Sequence, residues 1–214
     1  MYKILDLNNW SRFEQYKFFK SYDSPFFNIC SELDVTDLVK SCQSKKHSFF
    51  ISILYASLST ANQIKEFRYR LKGDGVVEFD TIYAGSTILK DNETFTFCYF
   101  DYFSRFSTFN ESAKQHITKT KTGDLKFEAR DNELGLIHYS SIPWISFSSF
   151  SHARNFKNND SIPKIVFGKF YEKDGRISMP ISVEVHHALM DGLHLGWYLN
   201  KLQEMIKNPI FLSI

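Results

Sequence analysis

Residues 177–185 constrain the fold most, because Ile181, Val183 and Val185 alternate with Ser182 and Glu184 and the run leads toward a helical C-terminal stretch. Period-two alternation predicts a strand with one buried face, and residues 192–207 predict a terminal helix packed near it. Between them lies His186-His187-Ala188-Leu189-Met190-Asp191-Gly192, which delivers two histidines at a strand end and an aspartate at the mouth of a helix. A base held there keeps one orientation with its ring at a pocket edge, as proton abstraction requires. Gly192 reads as the residue that lets the backbone turn sharply.

Residues 165–171 form a second strand-like run, joined to 177–185 by the hairpin signal Glu172-Lys173-Asp174-Gly175-Arg176. Residues 67–71 and 76–79 flank Gly73-Asp74-Gly75 in the same way, and 94–102, 134–141 and 144–150 are further strand-like runs. Helices are predicted at 9–20 with Asn9 as cap, from Thr36 onward, at 47–61 and near 109–120. In the third of these, Phe49, Phe50, Ile53, Leu54, Ala56 and Leu58 make the broad stripe of a helix covered by a sheet. No repeat or linker divides the chain, so residues 1–214 are read as one domain of the α/β class.

The 26 Lys and Arg nearly balance 24 Asp and Glu, leaving a net charge of +2 and no strong field to gather nucleic acid or an anionic membrane. No stretch approaches the roughly 20 apolar residues of a membrane span. Residues 1–10 mix Lys3, Asp6 and Asn8 into their apolar residues, unlike a signal peptide, so the expected location is cytoplasmic. Cys30, Cys42 and Cys98 are too few and scattered for a disulfide framework and read as reduced thiols. Composition thus singles out no class of partner, and a site must identify one. The excess of 22 Phe beside 11 Tyr predicts a core or a pocket rich in rings.

The motif His186-His187-x-x-x-Asp191-Gly192 resembles that of the chloramphenicol acetyltransferase family. The resemblance is collinear from Trp10 to Met190: Asn9-Trp10-Ser11-Arg12 matches the family's Asn-Trp-x-Arg, and Asn92-Glu93-Thr94-Phe95 its Glu-Thr-Phe strand. Ser140-Ser141-Ile142-Pro143-Trp144-Ile145-Ser146-Phe147 matches its Ser-x-x-Pro-Trp-x-x-Phe, and the strand from Met179 leads into the histidines as the family's does.

What this resemblance implies is an acetyl-CoA-dependent O-acetyltransferase of the antibiotic-resistance type, a two-layer sandwich with a large mixed sheet and helices mainly on one face. It implies His187 as general base, its other ring nitrogen held by a backbone carbonyl, and Ser140 as donor to the oxyanion. Asp191 paired with Arg12 would support the base. Phe19, Phe27, Phe95, Phe127 and His152 fall at acceptor-pocket positions, and Trp144, Lys169 and Phe170 near the coenzyme. The co-substrate would be acetyl-CoA with no metal, and the assembly a homotrimer with active sites between subunits.

The chain also departs from the family pattern. Phe19 and Phe170 stand where tyrosines are usual, Val166 where a threonine is, and His152 and Arg154 where aliphatic residues are. Such changes in a pocket alter which acceptor is bound, since unpaired buried polar groups cost about 1 to 3 kcal/mol each. His187, Asp191 and His194 also have the spacing of one helical face, which suits a metal, although Gly192 and the preceding strand oppose a continuous helix. The acyltransferase domain of 2-oxo acid dehydrogenase complexes, with a related motif, is a second enzyme reading. A trimeric coenzyme- or small-molecule-binding protein without turnover is the non-enzyme one.

Overall fold

In the computed structural model, which describes residues 1–123, 129–130, 133–154 and 160–213, the elements follow in the order β1 (Tyr2–Ile4), α1 (Phe13–Lys20), β2 (Phe26–Asp34), α2 (Thr36–Lys45), α3 (Phe49–Asn62), β3 (Tyr69–Lys72), β4 (Gly75–Phe79) and β5 (Tyr83–Leu89). They continue with β6 (Phe95–Phe100), α4 (Phe106–Thr122), β7 (Leu136–Ile142), β8 (Lys164–Gly168), β9 (Tyr171–Lys173), β10 (Arg176–His186) and α5 (Gly192–Lys207). Short 3-10 turns lie at Leu7–Asn9, Lys65–Arg68 and Ile210–Ser213.

The alternation in β10 makes it the spine of a seven-stranded sheet of order β2-β10-β8-β7-β5-β6, with β9 also paired to β10. The sheet is mixed: β10 runs antiparallel to β2, β8 and β9, whereas β7 is parallel to both β8 and β5. A smaller sheet, β1-β4-β3, carries the hairpin around Gly73, which adopts φ of 57° at the turn.

Alternation sends Ile181, Val183, Val185, Ile165, Phe167, Ile137 and Tyr139 to the inner face, where they pack into one core with α2, α3, α4 and α5. Ser48 caps α3 by accepting from the Ile51 amide at 3.4 Å, and residues 51–61 of that helix are all buried. Its buried Ser57 hydroxyl meets Tyr139 at 2.9 Å and Tyr198 at 2.5 Å, tying α3 to β7 and α5. Much of the phenylalanine excess is core, with Phe67, Phe100, Phe106, Phe109 and Phe167 fully enclosed. The outer face carries His138, Ser140, Lys164, Val166, Ser182, Glu184 and His186.

Four sequence expectations change. Asn9 does not cap α1: its amide donates to Asp6 at 2.6 Å, and the helix begins at Phe13 behind Arg12, whose side chain makes no capping bond. Residues 144–150 are not a strand, because after Pro143 the chain leaves the sheet and crosses its outer face, with the Asn28 amide donating to the Phe150 carbonyl at 2.8 Å. The run 165–171 breaks at Gly168, where a Cβ would stand 2.6 Å from Pro180 Cγ and 2.9 Å from Phe147 Cε1. The close approach of Pro180 and Phe147 requires glycine there and turns Lys169 and Phe170 out of the ladder. Gly192 does not use the left-handed region, and a Cβ there would meet open space, so the turn after His187 does not depend on it.

Candidate active site

The end of β10 fixes His187 through its backbone, whose amide donates to the Pro25 carbonyl at 2.7 Å. Its ring stacks on Phe19 with centroids 3.8 Å apart and planes inclined by 7°, while Phe27 leans on it at 4.5 Å. Two of the rings expected at the acceptor pocket therefore clamp the base of their own chain. Nδ1 of His187 is buried without a hydrogen-bond partner, yet the side chain is 32% exposed, so the open part of the ring lies elsewhere. The expected backbone carbonyl does not hold Nδ1. The carbonyl of His187 itself accepts from Arg12 Nη2 at 3.3 Å, and Nδ1 faces Asp191 Oδ1 at 3.4 Å, beyond good hydrogen-bond length.

Asp191 and Arg12, 179 positions apart in sequence, form a two-pronged ion pair, Nη2 to Oδ1 at 3.0 Å and Nη1 to Oδ2. The hydrogen bond from Arg12, ahead of the opposing cost of burial, holds the Asp191 carboxyl below its ordinary value. An anion beside Nδ1 favours the tautomer with the proton on Nδ1 and the lone pair on Nε2, the form a general base needs.

A carboxyl whose folded pKa is depressed contributes stability above its unfolded value of 3.8, lost as pH falls through the lower folded value. Replacing Arg12 by Leu is therefore expected to lower the melting temperature fully at pH 7, with the deficit narrowing below about pH 4. A deficit unchanged at pH 3, followed by thermal melting, would show that packing rather than the pair carries the effect.

His186, the other histidine of the motif, points to the opposite face and is buried, with Nδ1 accepting the Ala188 amide at 3.2 Å. Burial, then the Arg154 charge, pulls it to about 4, so it stays neutral. Arg154, only 5% exposed, is engaged by Glu184 and Asp160 at 2.6 Å each and lies over the Phe26 ring at 3.4 Å. His152 sits in the same outer-face segment, edge-on to Phe150 at 4.9 Å, and burial pulls it to about 4.

Ser140 also faces outward, on β7, level with Val166 and, through the β8–β10 register, with Ser182. It lies two strands across and five residues along from His187, about 19 Å at ordinary strand spacings. One chain therefore does not bring the two together. Phe95 lies farther away on β6, at the edge of the sheet. Phe127 is outside the described residues.

Lys169 and Phe170 line a largely apolar cavity of about 230 Å³ with Phe49, Phe50, Phe167 and Ser141. Trp144 is an exposed ring beside it, where the Ile145 carbonyl accepts the Lys169 amide at 2.9 Å. The stripe of α3 places Phe49 and Phe50 in the helix core, whereas in the fold the first turn of α3 opens into this cavity. His194, the third member of the metal spacing, uses Nδ1 to accept the Asp191 amide at 2.9 Å and does not converge with the others.

The family described as chloramphenicol acetyltransferase matches residues 1–203. A chloramphenicol acetyltransferase of Staphylococcus aureus is 30% identical over 210 residues, covering 96% of this chain and 99% of that protein. One of Proteus mirabilis is 29% identical over 202 residues, covering 94% and 93%. A solved chloramphenicol acetyltransferase superposes with a TM-score of 0.89 at 34% identity, over 96% of this chain and 100% of that one. A probable dihydrolipoamide acetyltransferase from Listeria monocytogenes 4b F2365 shares the fold, with a TM-score of 0.68 at 14% identity over 91% of this chain and 88% of that one.

Proposed function

Because the chain belongs to the chloramphenicol acetyltransferase family, we propose that it is a cytoplasmic enzyme that transfers acetyl from acetyl-CoA to a hydroxyl of chloramphenicol or a related small acceptor, with residues 1–214 acting as one domain. The observation that carries this reading is the mounting of His187, whose ring is clamped by Phe19, backed by an ion-paired carboxylate at Nδ1 and partly open to solvent.

His187 Nε2 takes the acceptor's hydroxyl proton as that oxygen bonds to the thioester carbonyl carbon. The oxygen of the tetrahedral intermediate accepts a hydrogen bond from the Ser140 hydroxyl. Collapse breaks the carbon–sulfur bond, and the imidazolium returns its proton to the departing thiolate, leaving an acetyl ester and coenzyme A. The apolar cavity ending at Ser141 suits the pantetheine arm, with Phe170 and Trp144 offering ring surface and Lys169 a cation for phosphate.

In this reading the base of one chain meets the serine of another copy, and the separation of about 19 Å between His187 and Ser140 within one chain supports it. A homotrimer with each site between two subunits satisfies this, and Phe95, Phe127 and His152 would belong to the half that carries Ser140. With Phe19 offering no hydroxyl to an acceptor and Arg154 and His152 added to the serine's face, a family acceptor other than chloramphenicol is the second reading.

Thiol release from acetyl-CoA with chloramphenicol present, and the product's mass, test the activity. Acetylated product supports it; release only with another hydroxyl compound favours the second reading, and none with any acceptor overturns both. Ser140→Ala is expected to cost about 10²- to 10³-fold in kcat, as loss of one oxyanion donor does. Co-refolding equal amounts of Ser140→Ala and His187→Ala proteins should restore about one quarter of the sites, because random assembly pairs an intact His187 with an intact Ser140 that often. No recovery in verified mixed oligomers would place the whole site within one chain.

A further inference from the structure

Behind the base lies a second histidine that the reaction does not use. His194, in the first turn of α5, is buried against Glu66, with Nε2 3.7 Å from Oε1 and both side chains 8% exposed. Its Nδ1 accepts the Asp191 amide at 2.9 Å, and its edge meets Trp197 at 5.2 Å. This is the returning half of a capping box, in which the third helical residue reaches back to the cap residue's backbone, a position where glutamine and glutamate are usual.

An imidazole that accepts at Nδ1 must, when neutral, carry its proton on Nε2, and Glu66 lies on that side. Protonation would abolish the acceptor and set one N–H against another. Burial lowers the pKa of His194, Arg12 adds to that, and Glu66 and Asp191 oppose it. The residue so held is Asp191, whose carboxylate binds Arg12 and faces His187 Nδ1.

Resting on the proposed acetyl transfer, we infer that His194, oriented by Glu66, is a positioning residue that fixes the Asp191 backbone and through it the orientation and tautomer of His187. The chain of contact runs from Glu66 through the His194 ring to the Asp191 amide, then across the carboxylate to Arg12 and the base. A small displacement of Asp191 would leave acceptor and coenzyme pockets intact while loosening the group that takes the proton, so the effect belongs in kcat rather than KM.

His194→Phe and His194→Leu, which keep apolar bulk but lose the acceptor, are expected to lower kcat about 10- to 100-fold with KM within about twofold. His194→Gln, whose side-chain oxygen can accept the same amide, should stay within about threefold of wild type. Nitrogen NMR of histidine-labelled protein should show the His187 proton on Nδ1 in wild type and the Gln variant, and a mixed or exchanging tautomer in the Phe and Leu variants.

The inference is overturned if a folded Phe or Leu variant keeps wild-type kcat and His187 signals, or if Gln is damaged as badly as they are. The Gln arm decides alone should both apolar variants fail to fold. Absence of thiol release from wild type would defeat the enzymatic reading, and the NMR comparison would still decide this one.

Discussion

The His187→Ala protein is expected to fold, assemble and bind coenzyme like wild type while losing about 10²- to 10⁴-fold of its acetyl transfer, the span a general base supplies. Folding should survive because the ring is about one-third exposed and makes no hydrogen bond through its buried nitrogen; the substitution removes one face of a stack on Phe19 and leaves the Arg12–Asp191 pair in place. The backbone amide that anchors the position on Pro25 is unchanged by truncation. Circular dichroism and sizing of the variant establish its state, and thiol release with product mass measures the loss. Activity within tenfold of wild type would remove His187 as the base. A collapsed or misassembled variant would instead show that the Phe19 stack is structural, and His187→Gln would then carry the test, since it keeps planar bulk without a base of useful strength.

How far this site was legible in the sequence differs residue by residue. The strand, the histidine pair and the final helix follow from local periodicity, and they stand where the pattern puts them because inner-face burial of Ile181, Val183 and Val185 admits one register. The Arg12–Asp191 pair joins residues 179 positions apart and entered only through resemblance; nothing in either neighbourhood specifies the other. The hairpin around Asp174-Gly175 was legible from its turn, but the partner strand was misjudged by a few residues because the break at Gly168 comes from Pro180 and Phe147, distant in sequence.

Strands β2 and β5 went unnoticed. In β2 six consecutive residues are half-buried, so no two-fold alternation marks them, and β5 places Gly85 and Ser86 among its apolar residues. Phe49 and Phe50 show the converse limit: a stripe that says "covered" does not say whether the cover is protein or an empty cavity. His194 carries a readable signal, since a polar residue three positions after Asp191 is a capping-box spacing, although the same spacing also suits a metal. The separation of Ser140 from His187 was invisible until the register of three strands was known.

Arg70→Leu is expected to be the most destabilising single substitution at a position remote from the chemistry. A lone arginine between Tyr69 and Leu71 in a strand reads as the solvent-facing member of an alternating set, yet its side chain has 0% exposure. Its guanidinium donates to four backbone carbonyls: Nε to Leu134 at 2.7 Å, Nη1 to Phe67 at 2.8 Å and Tyr69 at 2.6 Å, and Nη2 to Leu136 at 2.6 Å. Those carbonyls belong to the 3-10 turn before β3, to the first residue of β3 and to the entry of β7, the strand that carries Ser140, so one planar fork joins the small sheet to the large one. Leucine fills much of the volume but leaves three buried acceptors and a half-buried one, the Leu134 carbonyl, without their donors. At about 1 to 3 kcal/mol for each buried one, the loss reaches at least about 3 kcal/mol, a large share of the roughly 5 to 15 kcal/mol that holds a domain folded. Lysine restores the charge but gathers its donors on one atom and cannot serve four diverging carbonyls, so Arg70→Lys should lie between wild type and Leu. Urea denaturation measures both, with the midpoint ordered wild type, Lys, Leu. A Leu variant within about 1 kcal/mol of wild type would mean that water reaches these carbonyls and that the junction of the two sheets is held by packing alone.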